Sequence, residues 1–366
     1  MTVPSPTPRT ARESVDGVTA VVVNHQGAAY LPRCLDALEG QEGLAEILVI
    51  DNASTDGSAA AAAARGGLVR LVEAGGNLGP AAARNLGLAQ VRTPWVLFVD
   101  NDVYLPEGAV ASLLAAAQDE PRVALVQPRS VFAGEPTRVH YDGGSLHHLG
   151  LFSLRNWYRS LDCARAADPA PRVAVDGAIS LCLLGRVDAL RALGGFDPRY
   201  FILFEDLDLS YRVRAAGWRI LSLPGVLVEH DAGTAGVSFR EGARYPARRV
   251  FLHARNRWRF LLKNLGLRSL LLTLPSQALY EVAYLFLALR HRALGSWLRG
   301  KGAALASLGE VWRARAAVQA TRVVGDRELL VGGPLTLTPD AGAREPAARF
   351  LDGWSRLCFR LVRPLL

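Results

Sequence analysis

Lysine is almost missing from this 366-residue sequence, in which Lys263 and Lys301 are the only two lysines among 42 basic residues. Because arginine replaces lysine along the whole chain, the dominance of arginine in one segment does not by itself indicate a nucleic-acid partner. No RNA-binding or DNA-binding module can be recognised in the sequence. We therefore predict that the protein does not bind nucleic acid.

Cysteine is also scarce, and its spacing argues against a zinc site. The four cysteines, at positions 34, 163, 182 and 358, include no C-x-x-C pair and belong to no His/Cys cluster with zinc-ligand spacing. We expect reduced, mostly buried thiols in a cytosolic protein.

Long apolar runs are missing as well. Residues 1–17 are rich in Pro, Thr and Ser, so we predict a disordered leader and no signal peptide.

Residues 269–289 come closer to the roughly 20 apolar residues of a membrane-spanning helix. Glu281 lies at their centre, and a charge there costs roughly 2.5–3.5 kcal/mol on insertion scales. We favour helices that lie against a membrane face or pack in a dimer over a true span.

Charge is unevenly divided along the chain. Half of the residues are hydrophobic, which provides a sizeable core. Residues 1–245 carry 22 basic and 27 acidic residues, whereas residues 246–366 carry 20 basic and 7 acidic residues. A mildly acidic body and a strongly basic tail indicate two roles, and the tail suits an anionic membrane surface.

One apolar strand pattern ends in two carboxylates. Residues 96–99 form a β-branched and aromatic run that leads directly to Asp100 and Asp102. Strand alternation places these two side chains on one side, with Asn101 opposite. Hard carboxylate oxygens suit Mg²⁺ or Mn²⁺, and such ions commonly bridge substrate phosphates. Taken alone, the same pair is also compatible with an acidic turn after a core strand.

Alternating strand and helix patterns predict an α/β fold with a mostly parallel sheet flanked by helices. The first four predicted strands cover residues 18–23, 47–50, 68–72 and 95–99. In such sheets, ligands bind outside the carboxyl ends of the strands. Asn24 follows the first strand and Asp51 follows the second. These polar strand ends favour a binding site over an acidic turn.

A second acidic group follows an aromatic loop. Residues 196–204 lead to Glu205, Asp206 and Asp208, and the residues after them have helical spacing. Carboxylates at a helix N-terminus are favoured by the helix dipole in any protein. The aromatic loop supports a functional interpretation, because it would desolvate one carboxylate and raise its pKa towards that of a general base.

Histidines occur in two contexts. His230 directly follows a short predicted strand, residues 226–229. His140, His147 and His148 lie in an irregular stretch, and we interpret them as ordinary loop or hairpin residues, not as ligands.

Six motifs occur in a fixed order between residues 18 and about 231. They are VVVNHQG (21–27), VIDNASTDGS (49–58), GNLGPAAARNLGL (76–88), FVDND (98–102), GGFDPRYFILFEDLDLSYRVRAAGW (194–218) and VEH (228–230). In this order they resemble a family 2 glycosyltransferase with the GT-A fold, of the type that includes bacterial rhamnosyltransferases and galactofuranosyltransferases. The resemblance implies a Rossmann-like GT-A domain.

The resemblance also implies a nucleotide-sugar pocket at the strand ends. Asp51 would hydrogen-bond the nucleobase, with Asn24 beside the nucleotide. Asn77 and Arg84 would line the pocket, and the Arg84 guanidinium suits bidentate contact with a phosphate or base. Asp176, which precedes a Gly-Ala pair, would lie near the donor sugar.

A cation and a catalytic base are implied in the same way. Asp100 would lie on the ribose side close to the cation, Asp102 would hold Mg²⁺ or Mn²⁺, and His230 would approach the metal or the diphosphate. Asp206 would be the general base, with Glu205 supporting it. No second carboxylate is placed as a nucleophile, so direct displacement would invert the anomeric carbon.

The expected partners are a UDP-, dTDP- or GDP-sugar and a glycan or lipid-linked acceptor in cell-surface polysaccharide or glycolipid synthesis.

A polyprenyl-phosphate glycosyltransferase is an alternative, but its acid-rich stretch is replaced by Val-Tyr-Leu-Pro at residues 103–106. A processive synthase fits less well because Ala254 replaces the Gln of its Q-x-x-R-W signature, and the G-x-G-T-R loop of sugar nucleotidyltransferases is absent. The alternative outside the enzymes is a catalytically silent, membrane-associated binding module.

The basic tail lies outside the resemblance and is predicted to be a helical, membrane-associating extension. We divide the chain into a leader (1–17), a GT-A domain (18–245), a membrane-associated or dimerisation region (246–325) and a linker with a C-terminal amphipathic helix (326–366). The last helix combines apolar and arginine faces, which is typical of an interfacial helix on anionic lipid but also of a homodimer interface. We expect peripheral association with the cytoplasmic face of the cell membrane.

Overall fold

The computed structural model describes residues 17–231, 233, 237, 245–336 and 346–366. The predicted leader lies outside the described residues, apart from Gly17. A ten-stranded sheet and a three-stranded sheet are flanked by helices. The strands are β1 (Val18–Asn24), β2 (Leu44–Asp51), β3 (Val69–Glu73), β4 (Trp95–Asp100), β5 (Val103–Tyr104), β6 (Val123–Phe132), β7 (Glu135–Tyr141), β8 (Gly144–His147), β9 (Leu151–Leu154), β10 (Val173–Val175), β11 (Cys182–Arg186), β12 (Arg219–His230) and β13 (Leu330–Val331). The helices are α1 (Leu31–Glu39), α2 (Ser58–Arg65), α3 (Gly79–Gln90), α4 (Ala109–Gln118), α5 (Leu161–Ala166), α6 (Val187–Ala192), α7 (Glu205–Ala215), α8 (Ala247–Asn264), α9 (Leu267–Leu272), α10 (Leu274–Arg290), α11 (Leu294–Ala306), α12 (Leu308–Ala320), α13 (Asp326–Leu329) and α14 (Pro346–Val362).

The first four strands that the sequence predicted form a parallel part of the large sheet. They lie in the order β3-β2-β1-β4, with Asn24 level with Asp51 and Val23 level with Asp100. Their carboxyl ends therefore meet at one edge. β11 is antiparallel to both β4 and β6, so the sheet as a whole is mixed. The chain enters β11 from the same edge, where the Asp100 amide donates to the Leu181 carbonyl oxygen, and this path sets the antiparallel direction.

β12 brings a histidine to the edge where β4 ends. The sequence predicted two short strands, residues 218–221 and 226–229, but the structure has one strand. Its ladder with β6 is irregular around Pro224, which lacks the backbone N–H that a regular ladder needs. Parallel pairing with β6 then continues to His230, which also pairs with Val103 of β5.

Apolar side chains pack on both faces of the large sheet. Val22 belongs to the cluster that includes α1 and α4, whereas its neighbour Val21 belongs to the cluster that includes α3 and α7. This is the alternation expected of strand side chains. Each buried apolar side chain contributes roughly 1.5–3 kcal/mol, so the sheet is a rigid platform for the residues at its edge.

The C-terminal helices pack against the sheet domain. Phe260 and Leu261 of α8 share a buried cluster with Leu207 and Tyr211 of α7. The predicted apolar segment is divided into α9 and α10, with Pro275 in the first turn of α10. None of the helices in the described ranges has the length and apolar content that a membrane crossing requires.

Glu281, the charge that interrupts the apolar segment, is paired inside the helical region. Its carboxylate accepts from Arg257 Nη1 at 2.6 Å and from Trp258 Nε1 at 2.7 Å. The Lys301 ammonium lies 2.6 Å from the other carboxylate oxygen. Burial lowers the pKa of Lys301 to about 8, although Glu281 counteracts this effect. The charge therefore ties α8, α10 and α11 together.

Candidate active site

A hydrogen-bond network centred on Asn24 joins the carboxyl ends of the parallel strands. Its Nδ2 donates to Asp51 Oδ1 at 2.8 Å and to Ser58 Oγ at 2.9 Å. Its Oδ1 accepts from Asn101 Nδ2 at 2.8 Å, and Asp51 accepts from the Ser54 amide at 2.9 Å. Asn24 and Asp51 thus lie at the predicted edge, where they fix the turn after β2 and, through Asn101, the turn between Asp100 and Asp102.

Asn77 lies at the same edge and contacts His25, which belongs to the first motif but was assigned no role. His25 Nδ1 lies 2.9 Å from the Asn52 carbonyl oxygen, which can only accept, so this nitrogen carries the proton. His25 Nε2 then accepts from Asn77 Nδ2 at 3.1 Å. The side chain of His25 is exposed. Its position directly after β1 is the sequence signal that could have identified it.

Arg84 connects the end of β4 to the start of α7. Its Nη2 donates to Asp100 Oδ1 at 2.6 Å, and its Nη1 lies 3.8 Å from Glu205 Oε1. Burial alone would lower the pKa of this guanidinium, but the neighbouring carboxylates, Asp100 first, raise it overall. Arg84 is only 3% exposed. It is a charged link between two acidic groups, and its contact with a phosphate or base stays a prediction.

Glu205 and Asp206 begin α7 with different exposure. Glu205 is 5% exposed, and burial together with Asp206 raises its pKa to about 8. Asp206 is half-buried, and its Oδ1 accepts from the Ser180 hydroxyl and from the Ser180 amide, the latter at 3.2 Å. Burial raises the pKa of Asp206 overall, although Arg84 and the Ser180 hydrogen bonds counteract it. Ser180 belongs to none of the six motifs and is identified only by this contact.

Asp102 and His230 meet although they are far apart in the sequence. His230 Nε2 lies 3.3 Å from Asp102 Oδ2, and the Gly233 amide donates to the same oxygen at 2.7 Å. His140 lies in β7, which forms a hairpin with β6, and its Nδ1 lies 3.3 Å from His230 Nδ1. No sequence signal could have indicated this contact, because the hairpin and the end of β12 meet only in the folded sheet.

Asp176 does not join these groups. It follows β10, which is antiparallel to β12, and Val175 pairs with Ile220 near the start of that strand. β10 therefore points away from the edge that carries His230. The Asp176 carboxylate instead accepts from Arg214 Nε at 2.9 Å. Its contact with a donor sugar stays a prediction.

The aromatic loop before α7 is held by the C-terminal region. Phe201, Leu203 and Phe204 have φ angles of 64°, 67° and 75°, in the left-handed region that side chains disfavour. Asn256 of α8 is fully buried, and its Nδ2 donates to three carbonyl oxygens of this loop at 2.8–3.1 Å. The bonds fix the backbone directly before Glu205. Asn256 was not predicted to contact the site, because it lies in the segment assigned to membrane association or dimerisation.

Comparison with known proteins identifies the family. The profile described as Glycosyl transferase family 2 matches residues 19–192. The N-acetylglucosaminyl-diphospho-decaprenol L-rhamnosyltransferase of Mycobacterium tuberculosis is 31% identical over 266 residues, which is 67% of this chain and 84% of the relative. This chain belongs to glycosyltransferase family 2.

Two further similarities extend the comparison of this family 2 glycosyltransferase. Galactofuranosyltransferase GlfT1 of Mycobacterium tuberculosis is 27% identical over 300 residues, 77% of this chain and 92% of the relative. The crystal structure of GalNAc-T7 with UDP, GalNAc and Mn²⁺ has a TM-score of 0.50 at 15% identity, covering 80% of this chain and 57% of that chain. At this identity the likeness concerns the fold alone, and the predicted GT-A fold is confirmed.

Asp102 and His230 are the residues of this glycosyltransferase that fit a divalent cation best. A carboxylate oxygen and an imidazole nitrogen that face each other at 3.3 Å are suitable ligands for Mn²⁺ or Mg²⁺. No group of three or more His, Cys, Asp or Glu side chains in the described ranges forms a complete cage. A cation at this position would need further oxygen ligands from substrate or water, as nucleotide-bound cations commonly do.

Proposed function

We propose that this family 2 glycosyltransferase transfers a sugar from a UDP-, dTDP- or GDP-sugar to a glycan or lipid-linked acceptor, with inversion at the anomeric carbon and support from Mg²⁺ or Mn²⁺. One observation carries the proposal. The Asp102–His230 pair and the half-buried Asp206 lie in one cluster. Asp100, two residues before Asp102, binds Arg84. Arg84 in turn contacts Glu205, the neighbour of Asp206 at the start of α7.

The donor diphosphate is proposed to bind at the edge where β1, β2 and β4 end. Asp102 and His230 would hold the cation, with Asp100 close to it, and the cation would neutralise the charge that develops on the leaving diphosphate. Asn24 and Asp51 order the turn beside this position through their mutual hydrogen bond. The nucleotide would thus meet side chains that the sheet already holds in place.

Asp206 is proposed as the general base. The acceptor oxygen forms a bond to the anomeric carbon while the bond from that carbon to the diphosphate breaks, and the acceptor proton passes to the Asp206 carboxylate. Asp206 is exposed enough to reach a substrate, whereas Glu205 is buried beside Arg84. A single carboxylate that acts as the base serves a single displacement, which inverts the configuration.

The acceptor is proposed to be presented at the cytoplasmic face of the cell membrane. The rhamnosyltransferase relative is named for a decaprenol-linked substrate, which favours a lipid-linked acceptor here. Leu271 of α9 and Phe286 of α10 are 67% and 65% exposed, and residues 246–366 as a whole carry 20 basic against 7 acidic residues. Apolar and cationic groups side by side suit an anionic membrane surface. A homodimer through the same apolar residues is the second proposal for this surface.

A donor panel tests the proposed function. Melting temperature is measured with UDP-, dTDP- and GDP-sugars, each with and without Mn²⁺, and the stabilising donor is then supplied with a lipid-linked N-acetylglucosamine acceptor. We expect one nucleotide class to stabilise the protein only with the cation, and the acceptor to gain one sugar of inverted configuration. A protein that binds a donor but neither hydrolyses nor transfers it would be a silent binding module.

A further inference from the structure

A second region of the molecule is rich in arginine and is separate from the acidic site. An open cavity of about 680 Å³ lies between α14 and the α13–β13 segment. Four arginines line it, against one carboxylate, that of Glu328. They are Arg327, Arg356, Arg360 and Arg363.

Among the residues that the structure describes, most of these arginines have no acidic partner. Arg356 pairs with Asp352 on the same helix at 2.8 Å. In the part of the chain that the structure describes, Arg327, Arg360 and Arg363 form no ion pair with a carboxylate, and Arg363 Nε donates to the Arg327 carbonyl oxygen at 3.2 Å. The cavity therefore keeps an excess of guanidinium groups, which are the side chains best suited to bidentate binding of phosphate.

The cavity is built on a fixed wall. Phe359, on its α14 side, stacks on His148 with ring centroids 4.8 Å apart. On the opposite side, a Cβ atom on Gly332 would lie 3.0 Å from the Phe359 side chain, and one on Gly333 would lie 2.8 Å from Arg356. Glycine at both positions lets the backbone after β13 lie close to Phe359 and Arg356.

α14 carries an exposed apolar row beside the arginines. Phe350, Trp354, Leu357 and Leu361 recur at helical spacing and are 37–67% exposed. A different face, with Leu351, Ser355 and Phe359, is buried against the protein. The α14 arginines, Arg356 and Arg360, lie on one side of this buried face, and the exposed apolar row lies on its other side. This arrangement lets the helix insert apolar side chains into a bilayer while its arginines lie at the depth of the lipid phosphates.

We propose that this cavity binds the phosphate of an anionic phospholipid headgroup and so anchors the protein on the membrane in one orientation. The inference extends the proposed membrane contact of the enzyme, and it assigns the lipid phosphate a site of its own. A phosphate site differs from general attraction to a charged surface in one measurable way. Arg360 and Arg327, which line the cavity, would contribute much more to vesicle binding than an arginine outside it.

The test is vesicle co-sedimentation of the full chain with phosphatidylcholine vesicles with and without phosphatidylglycerol. The variants are Arg360→Gln, which alters the cavity, and Arg349→Gln, an exposed arginine of the same helix that does not line it. We expect binding only with phosphatidylglycerol, and a loss with Arg360→Gln that exceeds the loss with Arg349→Gln by about tenfold. Equal losses would overturn the proposal. Arg327→Gln, on α13, repeats the test away from α14 in case Arg360→Gln lowers the melting temperature.

Two other sources of phosphate are separated in the same experiment. If Arg360→Gln weakens binding of inorganic phosphate in calorimetry but not binding to phosphatidylglycerol vesicles, the cavity takes free phosphate and the proposal is wrong. If only vesicles with polyprenyl diphosphate show the effect, the cavity belongs to the acceptor, which also overturns it. Transfer to a soluble acceptor analogue is expected to persist in Arg360→Gln, and failure of the unmodified protein in that assay would count against the proposed function alone.

Discussion

The Lys263 ammonium of α8 lies 2.8 Å from the carboxylate of Asp208, two residues after Asp206 on α7. Asp208 is fully buried and also accepts from Asn264 Nδ2 at 2.9 Å. Burial alone would raise the pKa of Asp208, but Arg212 and Lys263 hold it below its ordinary value. The basic C-terminal region therefore supports the helix that carries the proposed base.

Replacing the proposed base should stop turnover without loss of the donor site. We expect Asp206→Asn to lower kcat by about 10²–10⁴-fold, because the acceptor oxygen loses the group that takes its proton. Donor affinity with Mn²⁺, measured by calorimetry, should change little. Asp188→Asn, an exposed carboxylate at the start of α6, is the control. Normal turnover by Asp206→Asn would show that another group is the base.

Removing the proposed cation ligand should have the opposite effect. We expect Asp102→Asn to weaken nucleoside diphosphate binding in the presence of Mn²⁺ by at least about tenfold, because His230 would remain as the single protein ligand of that pair. The affinity of Asp102→Asn for the nucleoside diphosphate without Mn²⁺ should equal that of the unmodified protein, so adding Mn²⁺ would no longer increase the affinity of the variant. The exposed Asp119→Asn serves as the control. Full cation-dependent binding by Asp102→Asn would contradict the assignment.

The pH dependence of transfer should report the hydrogen bond from Ser180. Asp206 acts as a base only when ionised, and its pKa is raised by burial, so kcat/KM should rise with pH through an acid limb above the ordinary range of an aspartate. The Ser180 hydroxyl stabilises the ionised form. Ser180→Ala should therefore move the acid limb to higher pH, whereas the exposed Ser112→Ala should leave it in place. An unmoved limb would mean that this hydrogen bond does not act on the catalytic group.

Loss of Asn256 should disturb the loop before α7. Its amide satisfies three loop carbonyl groups in a fully buried position, so Asn256→Ala should cost about 1–3 kcal/mol of folding free energy in denaturant unfolding. We further expect kcat to fall while the donor Kd holds, because the loop positions Glu205 and Asp206 and not the ends of β1 and β2. Gln319→Ala, which removes one amide contact from the same helical region, is the control. Unchanged kcat in a destabilised Asn256→Ala would leave Asn256 a purely structural role.

The ion cluster in the helical region should be a major contributor to its stability. Glu281→Gln leaves the Arg257 guanidinium, whose side chain is 1% exposed, without its carboxylate. Breaking a buried pair from one side costs about 3–5 kcal/mol, so a clear drop in melting temperature is expected. Glu107→Gln, an exposed carboxylate, should have no such effect. An unchanged melting temperature would show that water replaces the lost carboxylate as the hydrogen-bond partner of Arg257.

The sequence by itself determined the four parallel strands β1–β4 and the polar residues at their ends. Strand alternation and the change to helical periodicity are local properties, so the residue pattern alone places Asn24, Asp51, Asp100 and Asp102 at strand ends. The same reasoning places Glu205 and Asp206 at the start of a helix.

Only the tertiary structure decided which of these residues touch one another. His230 reaches Asp102 because β12 runs parallel to β6, and Asp176 is left aside because β10 runs in the opposite direction. The contacts of Ser180 with Asp206 and of Asn256 with the loop before α7 also join residues that are far apart in the sequence. Such contacts depend on strand order and helix packing, which are set by the burial of the whole core and are not encoded in the local pattern around any one residue.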